Sequence, residues 1–438
     1  MNETKQARAA VWSLGCKVNA YEAQGMQELL EQAGYQIVDI DQPAELYLIN
    51  TCTVTQIAAR KSRQVLHRLR HQNPQALLVA AGCYVDQDQS LLEEGVVDMI
   101  VPNRRKKDLL ILLDAYRKEA DAKRVLETAP GAATDLRISE QEGKTRAFLK
   151  VQDGCRQFCS YCIIPYVRGP LYSKPLEDCA AEAEGLVRRG YKEIVLTGIH
   201  LSSYGRGSKT DLADLILRLQ AIPDLHRIRL GSMEPGLIQP EFLQKIAGAD
   251  KLCPHFHLSL QSGCNETLKA MNRRYTAEEY AEAVARLREQ YPIVALTTDV
   301  IVGFPGETEA DHQASLQFVK DMRFAQVHVF RYSKREGTPA ARRADQVEER
   351  IKKERSEAMI AVAAAGQKAY EQARLGQTAE VLMEEAIGDS GLWIGHTPDY
   401  LRVGISMTGE HQGELVQAVL QKPAQEGTEH YIQARLLQ

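Results

Sequence analysis

Three cysteines in one short segment carry the clearest chemical signal of this sequence. Cys155, Cys159 and Cys162 follow the spacing C-x3-C-x2-C. Three thiolates can bind three iron atoms of a cubic 4Fe–4S cluster and leave the fourth iron without a protein ligand. A zinc knuckle is the alternative, but structural zinc favours C-x2-C pairs and a fourth protein ligand. The spacing therefore predicts an iron–sulfur cluster with one open coordination position.

Three other cysteines each follow a short apolar run that is typical of a buried strand. The runs cover residues 9–14, 46–49 and 76–81, and the cysteines that follow them are Cys16, Cys52 and Cys83. A helical pattern comes after each run, over residues 19–33, 55–71 and 87–94. Alternating strands and helices predict a parallel sheet, and ligands bind at the carboxyl edge of such sheets. The three thiols should therefore meet at one crevice as candidate ligands of a second 4Fe–4S cluster. The alternative is three buried structural cysteines.

The pattern of apolar residues divides the chain into four parts. Residues 1–120 are the predicted parallel α/β domain, and the polar residues 121–144 are a predicted linker. Residues 145–370 predict a partial (β/α)6 barrel, with strands over residues 147–151, 193–197, 227–231, 256–260, 297–302 and 326–330. The cysteine segment follows the first of these strands, at the end of the barrel where barrel enzymes place their chemistry. A long helical pattern over 345–375 leads into residues 371–438, whose five short β-rich runs predict a small all-β barrel.

Composition limits the class of protein. The chain has 438 residues, 44% hydrophobic and 26% charged, which is ordinary for a soluble globular protein. No apolar run approaches the roughly 20 residues of a membrane span. The nine cysteines are spread over a long chain and do not resemble a secreted disulfide framework. We therefore expect a cytoplasmic protein without a membrane partner. The net charge of −4 argues against indiscriminate nucleic-acid binding but leaves room for a local basic face.

The complete set of motifs resembles the radical S-adenosylmethionine methylthiotransferases. Tyr161, just before the last cysteine of the segment, completes a pattern that is similar to radical S-adenosylmethionine enzymes. Further matching pieces are Leu14-Gly15-Cys16-Lys17-Val18-Asn19 with Tyr21-Glu22, Asn50-Thr51-Cys52-Thr53-Val54, Gly82-Cys83, Val151-Gln152-Asp153-Gly154-Cys155, Ile164-Pro165-Tyr166-Val167-Arg168-Gly169 and Leu258-Ser259-Leu260-Gln261-Ser262-Gly263. The first of these resembles the MtaB-like branch of the family, which acts on threonylcarbamoyladenosine in transfer RNA.

The resemblance implies a layout, a reaction and two cofactors. The layout is an N-terminal cluster domain, a radical S-adenosylmethionine barrel and a C-terminal TRAM domain. The reaction adds a methylthio group to carbon 2 of the modified adenine beside the anticodon. The cluster on Cys155, Cys159 and Cys162 would split S-adenosylmethionine to give a 5′-deoxyadenosyl radical, and a second cluster would hold the sulfur. The implied partners are a transfer RNA anticodon stem-loop, an electron donor of low potential and a sulfur donor.

Two other substrates and one other function stay open at this point. Related branches of the family act on isopentenyladenosine in transfer RNA or on a ribosomal protein side chain. The other function is an iron–sulfur redox sensor, which is not an enzyme. The predicted barrel counts against it, because a sensor would need no barrel shaped for a cofactor.

Six residues outside the cysteines are candidates for binding S-adenosylmethionine, by resemblance and by their position at strand ends: Gly198, Glu234, Ser259, Gln261, Arg168 and Gly303. Gly198 would offer backbone groups to the amino end of the cofactor, and Arg168 would meet a carboxylate or a phosphate. Glu234 is equally compatible with a helix cap. Gly303 is also compatible with simple turn chemistry. His200 is a candidate proton carrier, for which a structural role is the alternative.

Charge clusters give a weaker prediction about RNA. Basic runs lie at residues 60–63 with 67–70, at 104–107 and at 342–343, and a solvated helix face is the ordinary explanation for each. The first run follows Cys52 and is the best placed to hold RNA phosphates. From Gly376 onward the chain carries three Lys/Arg and nine Asp/Glu, which is unexpected for an RNA-binding domain. Trp393 and Tyr400 are predicted to pack in the core rather than to stack on bases. Cys179, Cys253 and Cys264 lack the spacing of ligands.

Overall fold

The N-terminal lobe is a five-stranded parallel sheet, as the alternating pattern predicts. A computed structural model describes residues 6–119, 121, 125–127, 135–141, 143–388 and 391–437. The strands of this lobe are β1 (Arg8–Ser13), β2 (Gln36–Ile37), β3 (Leu46–Thr51), β4 (Leu77–Gly82) and β5 (Met99–Val101). Their order across the sheet is β2-β1-β3-β4-β5, and all neighbours are parallel. Strand β3 is buried along its whole length because helices cover both faces of the sheet.

Five helices flank this sheet: α1 (Lys17–Gln32), α2 (Gln56–Gln72), α3 (Cys83–Gln87), α4 (Ser90–Glu93) and α5 (Leu109–Glu119). The prediction of one helix over residues 87–94 is wrong. Helix α3 begins directly at Cys83, and Asp88 then takes an extended conformation that separates it from α4. The carboxylate of Asp88 accepts hydrogen bonds from Ser90 N and Tyr84 Oη, both at 3.0 Å, which stabilises this break.

The central part is a partial barrel of six parallel strands, which confirms the predicted fold class. These strands are β6 (Ala147–Asp153), β8 (Glu193–Gly198), β9 (Arg227–Leu230), β10 (His255–His257), β11 (Ala295–Val302) and β12 (Gln326–Arg331). They form two sheets that meet through isolated bridges at Ile228–Leu252 and Met233–Leu258. A short antiparallel strand, β7 (Tyr172–Ser173), extends the first sheet and was not predicted. The largest hydrophobic core of the protein lies between these strands and their helices.

The helices of the barrel connect one strand to the next. They are α6 (Ile164–Arg168), α7 (Leu176–Arg188), α8 (Leu212–Gln220), α9 (Pro240–Lys245), α10 (Asn265–Ala270), α11 (Ala277–Gln290) and α12 (Glu309–Met322). Helices α8, α11 and α12 begin with reciprocal capping boxes, which satisfy backbone N–H groups that a helix start leaves free. The long helix α13 (Glu349–Arg374) then packs beside β12, and its Gly366 allows close approach to the backbone of Phe324.

The C-terminal part is a small closed barrel, also as predicted. Its strands are β13 (Thr378–Ile387), β14 (Leu392–His396), β15 (Arg402–Ser406), β16 (Leu415–Glu426) and β17 (Glu429–Leu436). Trp393 is 4% exposed and belongs to the core of this barrel. The prediction that Trp393 packs rather than stacks on bases is therefore confirmed.

Acidic groups of the C-terminal barrel face arginines of the central barrel. Glu380 pairs with Arg227 at 2.9 Å, and Glu384 pairs with Arg146 at 3.1 Å. Tyr400 stacks between two histidine rings with ring centroids 4.7 Å apart, so it too is held in this interface. Part of the unexpected negative charge of residues 376–438 is thus used to join two barrels.

The described end of the predicted linker is tied to both of its neighbours. The carboxylate of Glu28 in α1 accepts a hydrogen bond of 2.8 Å from Ser139 N, and Glu182 in α7 accepts one of 3.2 Å from Ile138 N. The predicted linker residues 122–124, 128–134 and 142 lie outside the described residues. Across the described ranges, no helix combines the length and apolar character that a membrane span requires.

Candidate active site

All six predicted cysteine ligands line one cavity of about 580 Å³ between the N-terminal lobe and the mouth of the central barrel. Cys16, Cys52 and Cys83 contribute from the lobe; we call them the lobe triad. Cys155, Cys159 and Cys162 contribute from the barrel and form the barrel triad. The two triads are therefore brought face to face by the fold, although the sequence separates them widely.

The lobe triad lies at three neighbouring strand ends. Cys16 follows β1, Cys52 follows β3, and Cys83 follows β4. Gly15 makes this convergence possible, because its φ is +107° and a Cβ there would lie 2.6 Å from Cys52 Sγ. Any side chain at this position would displace the thiol of Cys52.

Cys52 and Cys83 are buried, whereas Cys16 is exposed. Burial raises the pKa of the Cys52 thiol, and the nearby thiols of Cys83 and Cys16 raise it further. Val54 N donates to Cys52 Sγ at 3.5 Å and acts in the opposite direction. A free thiolate at Cys52 is thus disfavoured unless a positive centre lies among the three sulfurs.

Arg168, which also lines the cavity, is bonded to the lobe triad and its surroundings. Its guanidinium is fully buried and donates to Cys83 Sγ at 3.2 Å, Glu22 Oε1 at 2.6 Å and Asn19 Oδ1 at 2.6 Å. These partners, all in the N-terminal lobe, occupy most of its hydrogen-bonding directions. Arg168 follows the barrel triad in sequence but reaches across the interface to the other triad, and its contact with a cofactor carboxylate or phosphate stays a prediction.

The barrel triad lies in the loop between β6 and α6. Gly154 opens this loop with φ +74°, and a Cβ there would lie 2.0 Å from Pro170 O. Gln157 N donates to Cys155 Sγ at 3.5 Å, and Arg273 Nη1 donates to Cys159 Sγ at 3.2 Å. Burial raises the pKa of Cys155, and it raises the pKa of Cys162 to about 12. A thiolate at Cys155 or Cys162 is thus disfavoured unless a cation lies beside it.

Glu234 lies in the cavity wall beside three polar side chains. Its carboxylate accepts a hydrogen bond from Gln157 Nε2 at 2.7 Å, and it lies 3.0 Å from Arg273 Nη2 and 3.1 Å from His200 Nε2 as ion-pair neighbours. Burial acts to raise the pKa of Glu234, but His200 and Arg273 outweigh it and leave the pKa below its ordinary value. The helix-cap alternative is wrong, because the Glu234 side chain makes no cap hydrogen bond. His200 also contacts Ser203 Oγ at 2.5 Å, so it is firmly positioned in the same wall.

Three other predicted cofactor residues line the cavity, and one does not. Gly198, Ser259 and Gln261 are in its wall. Gly303 is outside it and lies under α13, where a Cβ would come within 2.3 Å of Lys352 Cγ. The geometry thus accounts for Gly303 by packing and turn conformation, since its φ is +70°.

Arg273 and Glu22 are site residues that sequence reasoning did not assign. Arg273 contacts a cysteine 114 positions away, and no local motif marks it. Glu22 is 1% exposed and accepts from Arg168, Lys106 and Lys150. Together these three cations lower the pKa of Glu22 well below its ordinary value, although burial opposes them. The run Tyr21-Glu22 carried part of the family resemblance, and this was the one signal that pointed to Glu22.

The first basic run faces a groove whose wall contains Thr53 and Ile163, the chain neighbours of Cys52 and Cys162 in the cavity wall. Arg60, Arg63 and His67 of α2 line one side of this groove, and Lys334 and Arg335 line the other. We call it the basic groove. Its volume of about 1070 Å³ is large enough for a nucleic-acid strand, and its charge suits phosphates.

The other two basic runs contain side chains that pair with carboxylates of the protein. Lys106 of the second run is 2% exposed and bonds Glu22, so the solvated-face explanation is wrong for this residue. Arg343 of the third run pairs with Asp345 and lies over the Phe304 ring. Cys179, Cys253 and Cys264 are buried away from the cavity.

Comparison with known families divides the chain as the fold does. Residues 149–319 match the Radical SAM superfamily, and residues 8–102 match the Uncharacterized protein family UPF0004. The threonylcarbamoyladenosine tRNA methylthiotransferase MtaB of Bacillus subtilis is 38% identical over 95% of this chain and 94% of its own length. The chain belongs to the radical S-adenosylmethionine methylthiotransferase family. It is therefore an enzyme, and its class is transferase.

Relatives of this methylthiotransferase carry two kinds of name. The MtaB protein of Thermotoga maritima is 34% identical over 95% of this chain and 94% of its own length. A tRNA-2-methylthio-N(6)-dimethylallyladenosine synthase of Desulfitobacterium hafniense is also 34% identical, over 96% of each chain. The similarity to this family thus extends along nearly the whole chain. The names of these relatives refer to two different modified adenosines.

Solved structures share the fold of this methylthiotransferase. The radical S-adenosylmethionine methyltransferase TsrM from Kitasatospora setae superposes with a TM-score of 0.57 at 17% identity, covering 76% of this chain and 77% of its own. The cobalamin-dependent radical enzyme OxsB gives a TM-score of 0.54 at 11% identity, covering 83% of this chain and 56% of its own. At this identity the likeness extends to the fold alone.

The family implies a 4Fe–4S cluster and S-adenosylmethionine, and the residues present fit both. All nine cysteines of the chain are free thiols, so the barrel triad is available for iron. Arg273 Nη1 and the backbone N–H of Gln157 already donate to sulfurs of this triad, as is usual around such clusters. Gly198, Glu234, Ser259 and Gln261 line the same cavity and offer backbone and side-chain polar groups to the cofactor.

Proposed function

We propose that this methylthiotransferase adds a methylthio group to carbon 2 of threonylcarbamoyladenosine next to the anticodon of transfer RNA. The single observation that carries the proposal is the one cavity whose walls contain both cysteine triads. Four relatives are named for threonylcarbamoyladenosine, and they are 34–40% identical to this chain. Two of them cover nearly the whole chain, and the other two cover less of it. A cavity of this kind lets one substrate atom meet both chemistries without leaving the site.

The barrel triad would hold the cluster at which S-adenosylmethionine supplies a carbon radical able to remove hydrogen from an unreactive C–H bond. The lobe triad would hold a second 4Fe–4S cluster, with sulfur for transfer on its open iron. The protein's own contribution is positional. Arg273 and Gln157 orient the barrel triad, and Arg168 orients Cys83 from the opposite wall. The low pKa of Glu234 keeps a negative charge beside the expected amino end of the cofactor.

The basic groove supports RNA as the macromolecular substrate. It joins α2, which follows Cys52, to the loop after β12, so phosphates bound there would lie beside the cavity. An electron donor of low potential and a donor of replacement sulfur complete the proposed cycle. We also infer a cytoplasmic location, because transfer RNA and a reducing environment are found there.

Methylthiolation of dimethylallyladenosine is the second candidate. Relatives with that name reach 34–37% identity, close to the range of the first group. A ribosomal protein side chain is less well supported, because Glu380 and Glu384 of the acidic C-terminal barrel pair with arginines of this chain and are not free to meet a basic protein.

Mass analysis of transfer RNA nucleosides tests the proposal. The gene is deleted in its host, and the nucleosides are compared before and after complementation. We expect 2-methylthio-threonylcarbamoyladenosine to disappear and then to return. Loss of the dimethylallyl derivative instead would favour the second candidate, and an unchanged profile would remove both.

A Cys52→Ala variant separates the two proposed clusters. After anaerobic reconstitution with iron and sulfide, we expect the variant to cleave S-adenosylmethionine to 5′-deoxyadenosine but to add no sulfur, because its barrel triad is intact. Cys179→Ala is the matched control, since that thiol is buried away from the cavity. Normal sulfur transfer by Cys52→Ala would show that the lobe triad holds no sulfur-delivering cluster.

A further inference from the structure

Arg335 is a buried cation without a partner beside the candidate active site. The residue is 7% exposed, and neither Nε nor Nη2 has a hydrogen-bond partner among the described residues. Burying a polar group without a hydrogen bond is costly, and burying a charge costs more. An unpaired guanidinium of this kind therefore points to a ligand that would supply the missing acceptor.

The loop that carries Arg335 is held against the N-terminal lobe by two hydrogen bonds. Gln56 Nε2 of α2 donates to Lys334 O at 2.9 Å, and Gln87 Nε2 of α3 donates to Glu336 O at 3.4 Å. Within the loop, Thr338 Oγ1 donates to Arg335 O at 2.7 Å. The loop is thus fixed against the N-terminal lobe, and its guanidinium is preorganised instead of free to turn into water.

Arg335 lines a smaller pocket that adjoins the cavity. This side pocket has a volume of about 250 Å³, and its walls include Val54, Cys162, Asp299, Phe330, Tyr332 and Arg335. Tyr161, Cys162 and Gln261 belong to the walls of both the side pocket and the cavity. The side pocket and the cavity therefore adjoin each other at these three side chains.

A second donor without a partner lies in the same pocket. Tyr332 is 4% exposed, and its hydroxyl has no hydrogen-bond partner in the described part of the chain. The charged groups of the pocket are Arg331, Arg335 and Asp299. Asp299 Oδ2 lies 3.3 Å from His257 Nε2, so its carboxylate has a neighbour of its own. Arg331 has Glu349 as its own partner, so what the pocket offers is one guanidinium and one hydroxyl whose hydrogen bonds are unfilled, and these donors suit an anionic group with acceptor oxygens.

We propose that Arg335 and Tyr332 bind the carboxylate of the substituent on N6 of the target adenosine. This inference rests on the proposed function. The threonylcarbamoyl group ends in a carboxylate and also carries a hydroxyl, for which Asp299 is an acceptor in the same pocket. The dimethylallyl group is an uncharged hydrocarbon and would leave the guanidinium unpaired. The side pocket would therefore select between the two adenosines that the relatives are named for, because a site built around buried donors rejects an analogue without acceptors.

A phosphate of the RNA backbone offers the same kind of oxygen, so the test must separate the two sources. Four anticodon stem-loops are compared, with threonylcarbamoyladenosine, its threoninamide analogue, dimethylallyladenosine or plain adenosine at the target position. The affinity of the anaerobically reconstituted enzyme for each is measured by fluorescence anisotropy at several salt concentrations. The variants are Arg335→Gln and Tyr332→Phe, and Lys334→Gln is the matched control because it removes an exposed charge from the same loop.

We expect Arg335→Gln to bind the threonylcarbamoyl stem-loop roughly tenfold to a hundredfold more weakly, as a lost charge-assisted hydrogen bond implies. It should bind the other three as the unsubstituted enzyme does. Tyr332→Phe, which removes only a hydroxyl, should show a smaller loss with the same selectivity. Lys334→Gln should affect all four RNAs equally. The threoninamide analogue should cost the unsubstituted enzyme about as much affinity as the Arg335→Gln change does.

Two results would overturn the inference. Equal weakening of all four RNAs by Arg335→Gln, with a shallower salt dependence, would assign Arg335 to a phosphate. Unchanged affinities, with altered iron content or cluster absorbance, would assign it to the clusters instead. Folding is checked by the melting temperature, which we expect to stay the same or to rise because an unpaired buried charge is removed.

The proposed function and this inference fail in different ways. If the unsubstituted enzyme does not prefer the threonylcarbamoyl stem-loop, the proposed function is wrong and the inference falls with it. If that preference exists and Arg335→Gln retains it, only the inference is wrong.

Discussion

At the scale of single residues, the buried charges of the described residues include groups that opposite charges meet and groups whose hydrogen bonds are unfilled. Glu193 of β8 is the clearest example of the first kind. It is fully buried, it bonds Arg229 Nε at 2.6 Å, and Arg227 lies 3.6 Å away. Burial alone would raise the pKa of Glu193, but the arginines outweigh it and bring the pKa to about 2. Arg335 shows the second kind, because Nε and Nη2 have no hydrogen-bond partner among the described residues, while the thiols of Cys52 and Cys162 lie within electrostatic reach.

Glu193→Gln should destabilise the protein by about 3–5 kcal/mol at pH 7, because it leaves the buried Arg229 without its partner. The pKa of Glu193 is lower in the folded state than in the unfolded state. Its contribution is therefore complete above about pH 4.3 and is lost as the pH falls toward about 2. The difference between the two proteins should shrink over that window, as measured by urea unfolding of the iron-free protein.

Glu380→Gln is the control for this prediction. Glu380 pairs with Arg227, but its side chain is 36% exposed. We expect a loss of about 1 kcal/mol or less, as for other exposed pairs. Equal losses in the two variants, or a difference that does not depend on pH, would contradict the role given to Glu193.

At the scale of elements, the site depends on how strands of the lobe end. Gly82 ends β4 with φ +99°, and α3 starts at Cys83 immediately afterwards. A Cβ at Gly82 would lie 2.3 Å from Thr51 O at the end of β3. The turn that aims Cys83 at the cavity thus requires a glycine for two reasons, its conformation and its close contact with the neighbouring strand.

Gly82→Ala should destabilise the protein by more than about 3 kcal/mol, because a clash with the backbone adds to the conformational strain. It should also displace Cys83 and lower the iron content after reconstitution, while the barrel triad keeps its iron. Gly34→Ala is the control, since Gly34 has φ +89° with open space around it. That change should cost about 1 kcal/mol. Iron content equal to that of the unsubstituted protein would contradict the prediction for Gly82→Ala.

The elements that could be predicted from the sequence are those that nearby residues determine. The strand ends beside the lobe triad and the spacing of the barrel triad are local signals, and both could be predicted from sequence. The break in the helix after Cys83 could not be predicted, because it depends on the hydrogen bond that Ser90 N donates to the Asp88 side chain. The partners of Arg168 and Arg273 were also out of reach. Arg168 meets Glu22 from 146 positions away, and no local pattern encodes such a contact.

At the scale of the whole molecule, one carboxylate joins the two halves of the active site. Glu22 belongs to the N-terminal lobe, and it accepts from Arg168 and Lys150 of the central barrel, each at 2.6 Å. Lys106 of the lobe bonds the same carboxylate. The orientation of the lobe triad relative to the barrel triad therefore depends on a buried group that touches no substrate.

Glu22→Gln should uncouple the two proposed half-reactions. Arg168 would lose its main partner, so Cys83 would shift while the barrel triad stayed in place. We expect 5′-deoxyadenosine to form at nearly the usual rate and methylthio transfer to fall by about tenfold or more, as for other misplaced catalytic groups. Both products are measured in one anaerobic assay.

Glu28→Gln is the control for that experiment. Glu28 is also a buried carboxylate of α1, but it accepts from the backbone of Ser139, away from the cavity. It should lower stability without changing the ratio of the two products. A parallel fall of both products in Glu22→Gln would mean that Glu22 serves overall folding and not the alignment of the two triads.

The two triads also differ in the stage of folding at which their three thiols can come together. Cys155, Cys159 and Cys162 are close neighbours along the chain, so they can approach one metal centre at small entropic cost before the rest of the protein has folded. Cys16, Cys52 and Cys83 are more than 30 residues apart and meet only after three strands have paired. The proposed lobe cluster would therefore form on a folded lobe, whereas the three thiols of the barrel loop are close enough in sequence to bind metal without one.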